Sequence, residues 1–297
     1  MRQVAEWIEA APNERQKRFR QVVHVVLNAI SKAHDLKPHM IMKGGVLMAI
    51  RYGTGRQTTD IDFSTTKHYS EFSAGQEKFI GNLDQAIIES AVDLSYGIAC
   101  RVQRHQVEPK KPGNFQTLRI TVGYALLGNA GAMARLNRRE SPSVVHIDYS
   151  FNELIGSIDH LEVAEGLEVA AYGEVTLFAE KLRAILQQES RERSRRQDIF
   201  DLYFLLRNYG VSQDRKEFIL RELVEKARSR ELGIDRESMA APEIYDRSKR
   251  EYDSLADEVD GELPEFDEAF STLKDFYESL PWTLILQTQG QVKDNQE

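Results

Sequence analysis

Asp60 and Asp62 stand two apart in Asp60-Ile61-Asp62-Phe63, and a glycine pair, Gly44-Gly45, precedes them by fourteen residues. Side chains alternate along an extended strand, so both aspartates would leave one face while Ile61 and Phe63 enter a core. Two carboxylates side by side repel each other, and a divalent cation removes the conflict. Hard oxygen donors of this kind suit Mg²⁺, which completes its shell with water and substrate phosphate. The glycines fall between a short apolar strand and the start of a helix. Lacking side chains, they let backbone N–H groups approach an anion, helped by the positive end of the helix dipole. A metal site and a phosphate site on neighbouring elements are what nucleotidyl transfer requires. Each motif alone is common, and a tight turn followed by a solvated acidic strand is the structural alternative. Their order and spacing favour chemistry.

A third acid lies in Val145-His146-Ile147-Asp148-Tyr149-Ser150-Phe151. Val145, Ile147, Tyr149 and Phe151 form one face of a strand, and Asp148 shares the other with His146 and Ser150. A third carboxylate from a neighbouring strand would complete a two-metal site, one ion activating an attacking hydroxyl and the other holding a triphosphate. The alternative is a surface acid on an edge strand, and His146 reads as structural. Further along, Glu174 to Gln188 forms a strong amphipathic helix whose apolar arc is Leu177, Ile185, Phe178, Leu182 and Leu186. Lys181 falls inside that arc, which is costly for an ammonium without a partner or a cleft. It either reaches nucleotide phosphates or makes a structural ion pair or snorkels to solvent. Glu180 and Arg183 lie off the arc and read as structural. Asp198 to Arg207 is apolar nearly all round, so Asp198 and Asp201 need cationic partners, with Lys181, Arg183 and Arg196 nearest by type. Asp198 divides evenly between ordering a site and a structural pairing; Asp201 reads as a structural partner.

The elements that must carry these residues follow from periodicity. An amphipathic helix spans Asn13 to Ala33, then a strand His39 to Met42, a helix Val46 to Tyr52, a loop Gly53 to Thr59 and a strand Asp60 to Ser64. Glu71 to Ser90 reads as a helix, and Ile98 to Val107, Thr117 to Tyr124 and Val144 to Phe151 as strands of a mixed sheet. From Gly173 the pattern is helical almost to the end. The fold class is therefore α+β, with a core at residues 1–170, a helical half at 171–285 that completes the site, and a disordered polar tail at 286–297. The chain has 297 residues, 41% hydrophobic, with a formal net charge of −8, so it is no general polyanion binder. Basic clusters at Arg101 and Arg104, Lys110 and Lys111, Arg135 with Arg138 and Arg139, and Arg191 to Arg196 could still grip nucleic acid locally, although most such runs are solvated surface. No apolar run is long enough to span a bilayer, and the N-terminal residues lack a signal-peptide core. A single cysteine, Cys100, excludes an internal disulfide framework and fits a reducing cytoplasm.

Four segments resemble the AbiEii-type nucleotidyltransferases, toxins of type IV toxin–antitoxin and abortive-infection systems: Lys43-Gly44-Gly45, Arg56-x-Thr58-x-Asp60-Ile61-Asp62-Phe63, Glu180-Lys181-Leu182-Arg183-Ala184 and Arg196-x-Asp198-x-x-Asp201-Leu202. The resemblance implies a DNA polymerase β-like core with a helical C-terminal half, transferring nucleotides from an NTP. Asp60 and Asp62 match the family's metal pair, and Lys43, Lys181 and Asp198 match positions tied to nucleotide binding or catalysis. With the third acid added, the expected metal ligands are Asp60, Asp62 and Asp148, holding Mg²⁺ with Mn²⁺ as the alternative ion. Lys181 and Asp198 join these three as the expected catalytic set. The expected nucleotide contacts are Lys43, Gly44, Gly45, Arg56, Thr59 and Lys181. Some relatives modify the acceptor end of tRNA, which a cognate antitoxin prevents, so tRNA is the expected acceptor. Enzymes of this superfamily often carry Gly-Ser where this chain has Gly44-Gly45, which removes a hydroxyl from the phosphate site. Nucleotidylation of a small molecule or a protein is one rival reading, and a non-catalytic nucleotide sensor or partner-binding protein is another.

Overall fold

The computed structural model describes residues 4–109 and 113–283. The expected tail at 286–297 and the lysines Lys110 and Lys111 lie outside them. The described residues form two compact units: one runs to Gly53 and resumes from Gln57 to Tyr172, and the other takes Thr54–Arg56 and the chain from Gly173.

The first unit contains α1 (Val4–Glu9), α2 (Glu14–Lys32), β1 (Ile41–Lys43), α3 (Gly44–Tyr52), β2 (Asp60–Ser64) and α4 (Tyr69–Phe72). It continues with α5 (Gln76–Asp93), β3 (Ile98–Glu108), β4 (Thr117–Leu126), α6 (Ala130–Asn137), β5 (Val144–Ser150), β6 (Ile158–Ala164) and β7 (Leu167–Tyr172). The seven strands form one sheet in the order β3-β4-β5-β2-β1-β7-β6. β2 runs parallel to β5 and β1 parallel to β7, while the other neighbours are antiparallel, so the sheet is mixed. Asn13 caps α2, its side chain accepting from Gln16 N at 2.9 Å, a contact worth about 1 kcal/mol. The buried stripe of α2, including Val22, Val23, Val26 and Leu27, packs on α5 and β7. Ile61 and Phe63 of β2 and Val145, Ile147 and Tyr149 of β5 are buried, which leaves the opposite face of these strands to the acids.

The structure redraws several elements. The helix after β1 starts at Gly44 rather than Val46, because Gly44 takes a left-handed φ of 76° and turns the chain at once. The helix expected at 71–90 is α5 at 76–93, preceded by α4 and a short 3₁₀ turn. The hairpin β6–β7 and the helix α6 were not expected. Only Leu161 and Val163 are buried along β6, and only Leu136 along α6, too few for a periodic signal.

The second unit holds α7 (Glu174–Leu186), α8 (Gln188–Arg191), α9 (Arg196–Asn208), α10 (Gln213–Ser229), α11 (Pro242–Lys249) and α12 (Phe266–Glu278). α7 packs against α9 and α10, and α12 against α9. Leu177, Phe178, Leu182, Ile185 and Leu186 are all buried along the arc read from the sequence. Arg183, outside that arc, is buried too, because Glu180 and Gln187 on the same helix pair with it.

Candidate active site

Pairing register lays out the acids of the first unit in rows across one face. Lys43 is opposite Asp62, Asp62 opposite Asp148, and Asp148 opposite Arg119. One step along, Asp60 is opposite His146, which is opposite Thr121. Asp60, Asp62 and Asp148 therefore sit on two adjacent strands and face the same way.

Arg119 stands between two of them. Its Nη2 is 3.4 Å from Asp60 Oδ2, and its Nε is 3.3 Å from Asp148 Oδ1. The second contact is ionic only: both atoms are buried and neither makes a hydrogen bond. Burial pushes the Asp148 carboxyl above its ordinary range; Arg119 opposes that shift and Asp60 adds to it.

Gly44 is forced by its surroundings. At φ 76°, a Cβ there would run into Asp62 Oδ2 and lie 2.7 Å from Asp62 Cγ, so only glycine lets the turn sit against this carboxylate. Gly45 is buried in the first turn of α3. Lys43 precedes the helix without a side-chain cap, and its Nζ lies 3.7 Å from Glu153 Oε1. Thr59 is exposed just before β2 and is not drawn into the carboxylate rows.

Among the described residues, no three His, Cys, Asp or Glu side chains are gathered closely enough to enclose a metal ion. The donor set nevertheless fits a hard divalent cation. It offers carboxylates on adjacent strands of one face and a buried Asp148 oxygen with no hydrogen-bond partner, and Arg119 already supplies positive charge to the gap.

Arg56, Lys181, Asp198 and Asp201 form a separate cluster within the second unit. Lys181 Nζ donates to Asp198 Oδ1 and Asp201 Oδ2, each at 2.7 Å. Arg56 grips Asp201 in a fork, with Nε to Oδ1 and Nη2 to Oδ2 both at 3.0 Å. Burial alone would raise the Asp201 carboxyl, but Arg56 and Lys181 more than offset it and hold it at about 2. Burial likewise works against the Lys181 ammonium, and Asp198 and Asp201 reverse it, so its pKa ends raised.

Arg56, expected at the nucleotide, pairs with Asp201 within the unit that takes Thr54–Arg56. One expectation changes here. The partners expected for the two acids included Arg183 and Arg196, yet Arg183 turns to Glu180 and Arg196 to Glu251 and Glu258. Lys181 takes the ion-pair alternative, and contact with a phosphate would mean giving up one of its carboxylates.

A family model described as "Nucleotidyl transferase AbiEii toxin, Type IV TA system" matches residues 26–272, well over half of the chain. The chain belongs to the AbiEii nucleotidyltransferase toxin family. The match takes in both the carboxylate rows and the Lys181 cluster. Among solved structures, the chain is similar to a candidate nucleotidyltransferase from H. pylori, with a TM-score of 0.50 and 16% identity, covering 90% of this chain and 95% of that one. That likeness carries the fold. No curated protein matches the chain. No helix among the described residues is long and apolar enough to cross a membrane.

Arg119 was missed in the sequence. Alternation in Thr117 to Tyr124 places it on the polar face, but its pairing with Asp148 depends on register between strands, which this segment alone does not encode.

Proposed function

We propose that this AbiEii-family chain transfers a nucleoside monophosphate from an NTP to the terminal hydroxyl of a tRNA acceptor in the cytoplasm, under the restraint of a cognate antitoxin. The observation that carries this reading is the row Lys43–Asp62–Asp148, with Asp60 beside it and the Gly44 turn packed on Asp62. Asp60, Asp62 and Asp148 would hold Mg²⁺ or Mn²⁺, which when bound acidifies the attacking hydroxyl and offsets charge on the departing pyrophosphate. Asp148, in the same row as Asp62, would accept the hydrogen bond of the acceptor's hydroxyl. The acceptor oxygen bonds to the α-phosphorus, the bond from that phosphorus to the bridging oxygen breaks, and pyrophosphate leaves with the electron pair. The hydroxyl proton passes through Asp148 to solvent. At the amino end of α3, Gly44 and Gly45 offer backbone N–H groups uncapped by any side chain from Lys43, which suits the triphosphate. Lys181 and Asp198 belong to the third and fourth of the family-like segments, and substituting each tests its part separately.

The test is incubation of purified protein with each α-labelled NTP and total RNA. Label in a discrete tRNA-sized band supports the proposal. Label confined to protein or small molecules would move the acceptor to those classes. Tight NTP binding without pyrophosphate release across all acceptors would make the chain a nucleotide sensor instead.

A further inference from the structure

On the same face as the acids, β5, β4 and β3 line a recess of about 240 Å³, walled by Arg104, Gln106, Arg119, Thr121 and His146. Arg104 is there because of a β-bulge. Ile98, Cys100 and Val102 of β3 are buried in regular alternation, and Val102 pairs with Val122. The register then shifts, and Arg104 pairs with Thr121. Were Gln103 paired in the ladder, regular alternation would put Arg104 on the buried face of Val102.

The bulge is firmly built. Gln103 Nε2 donates to Ser141 O at 3.2 Å, and its Oε1 accepts from Ser141 N at 2.6 Å. Gly123 makes room for it, since a Cβ there would lie 2.5 Å from Gln103 Cδ. Bulges of this kind re-aim side chains beside active sites.

The recess is cationic and rich in donors. Arg104 makes no ion pair among the described residues; its Nε lies 3.4 Å from Thr121 Oγ1, which is 3.3 Å from His146 Nδ1. Arg119 beside it already faces Asp60 and Asp148, so the Arg104 guanidinium is the charge left over for an anion. The strand order β1-β2-β5-β4-β3 puts the Gly44 turn on one side of Asp60 and Asp62 and the recess on the other. With the donor triphosphate at the turn, the recess falls to the acceptor, and it has room for one phosphodiester and part of its sugar.

We infer that this recess binds the backbone phosphate next to the terminal hydroxyl of a single-stranded polynucleotide acceptor, with Arg104 as its charge contact. The inference rests on the nucleotidyl-transfer reading and adds to it the place where the acceptor's backbone is held.

A labelled short single-stranded RNA with a free 3′ hydroxyl, titrated by fluorescence anisotropy without NTP, tests it on wild type, Arg104→Ala and Arg104→Lys. A second RNA carries one uncharged methylphosphonate at its last linkage. Arg104→Ala should weaken binding of the first RNA about tenfold and lower its salt slope by about 0.7, and Arg104→Lys should restore most of the loss. The neutral linkage should weaken wild type by a similar factor and leave the Arg104→Ala affinity where it was. Unchanged affinity in Arg104→Ala overturns the inference, as does an equal loss from the neutral linkage in both proteins. A loss of affinity for a fluorescent NTP as large as that for RNA would put the recess on the donor side and overturn it too. Because binding is read without turnover, failure here leaves labelled transfer intact. Failure of the nucleotidyl-transfer reading would appear instead as no transfer by a wild type that binds RNA normally.

Discussion

Gly44→Ala separates the cost of a strained backbone from the cost of a displaced carboxylate. An L-residue at φ 76° pays for its left-handed conformation with roughly 1–2 kcal/mol. The new methyl would also lie 2.7 Å from Asp62 Cγ, where ordinary contact begins near 3.4 Å, so the Asp62 carboxyl must retreat. A displacement of roughly 1 Å in a reacting group costs on the order of a hundredfold in rate. Gly97→Ala is the control: its φ is 71°, and a Cβ there meets nothing within 4 Å. Both variants should lose roughly 2–8 °C of melting temperature by scanning fluorimetry. Only Gly44→Ala should lose transfer of labelled NTP, by about a hundredfold. If Gly44→Ala keeps more than half of the wild-type rate, or Gly97→Ala loses as much, the close packing of the turn on Asp62 is not what the reaction depends on.

Asp201→Asn would remove the buried carboxylate shared by Arg56 and Lys181 and should cost about 3–5 kcal/mol in urea unfolding; a loss under about 1 kcal/mol would contradict the pairing. The same carboxyl sets an acid limit. Its pKa is depressed from 3.8 to about 2 on folding, so it contributes about 2 kcal/mol of stability above pH 4 that fades as pH falls toward 2. Urea midpoints measured from pH 5 to about 2 should show this decline in wild type and a weaker one in Asp201→Asn. Chelation of divalent ions should abolish transfer, and the thermal shift produced by Mg²⁺ should disappear in Asp60→Asn; an equal shift in both proteins would place the ion elsewhere.

Much of the carboxylate face was legible because alternation is a local property. Ile61 and Phe63, and Val145, Ile147 and Tyr149, are buried as their strand parity requires, and Asp60, Asp62 and Asp148 take the other face. The burial of Lys181 could be read the same way from a helical arc. What local pattern hides is pairing across distance. Arg56 finds Asp201 over a separation of 145 residues, and nothing near Arg56 names that partner. The Gln103 bulge likewise breaks the alternation of β3, so the grouping of Arg104 with Arg101 in the sequence said nothing of Arg119, Thr121 and His146. β6 escaped because an edge strand with only Leu161 and Val163 buried has little period to detect.

Metal-assisted nucleotidyl transfer, as proposed, depends on Asp60 and Asp62. Its most direct test is the labelling of total RNA from α-labelled NTP in Mg²⁺ by wild type and by Asp62→Ala, with matching melting curves showing that both are folded. Wild type should label a discrete RNA species and Asp62→Ala should fall to background. Equal labelling by the two proteins would contradict the account.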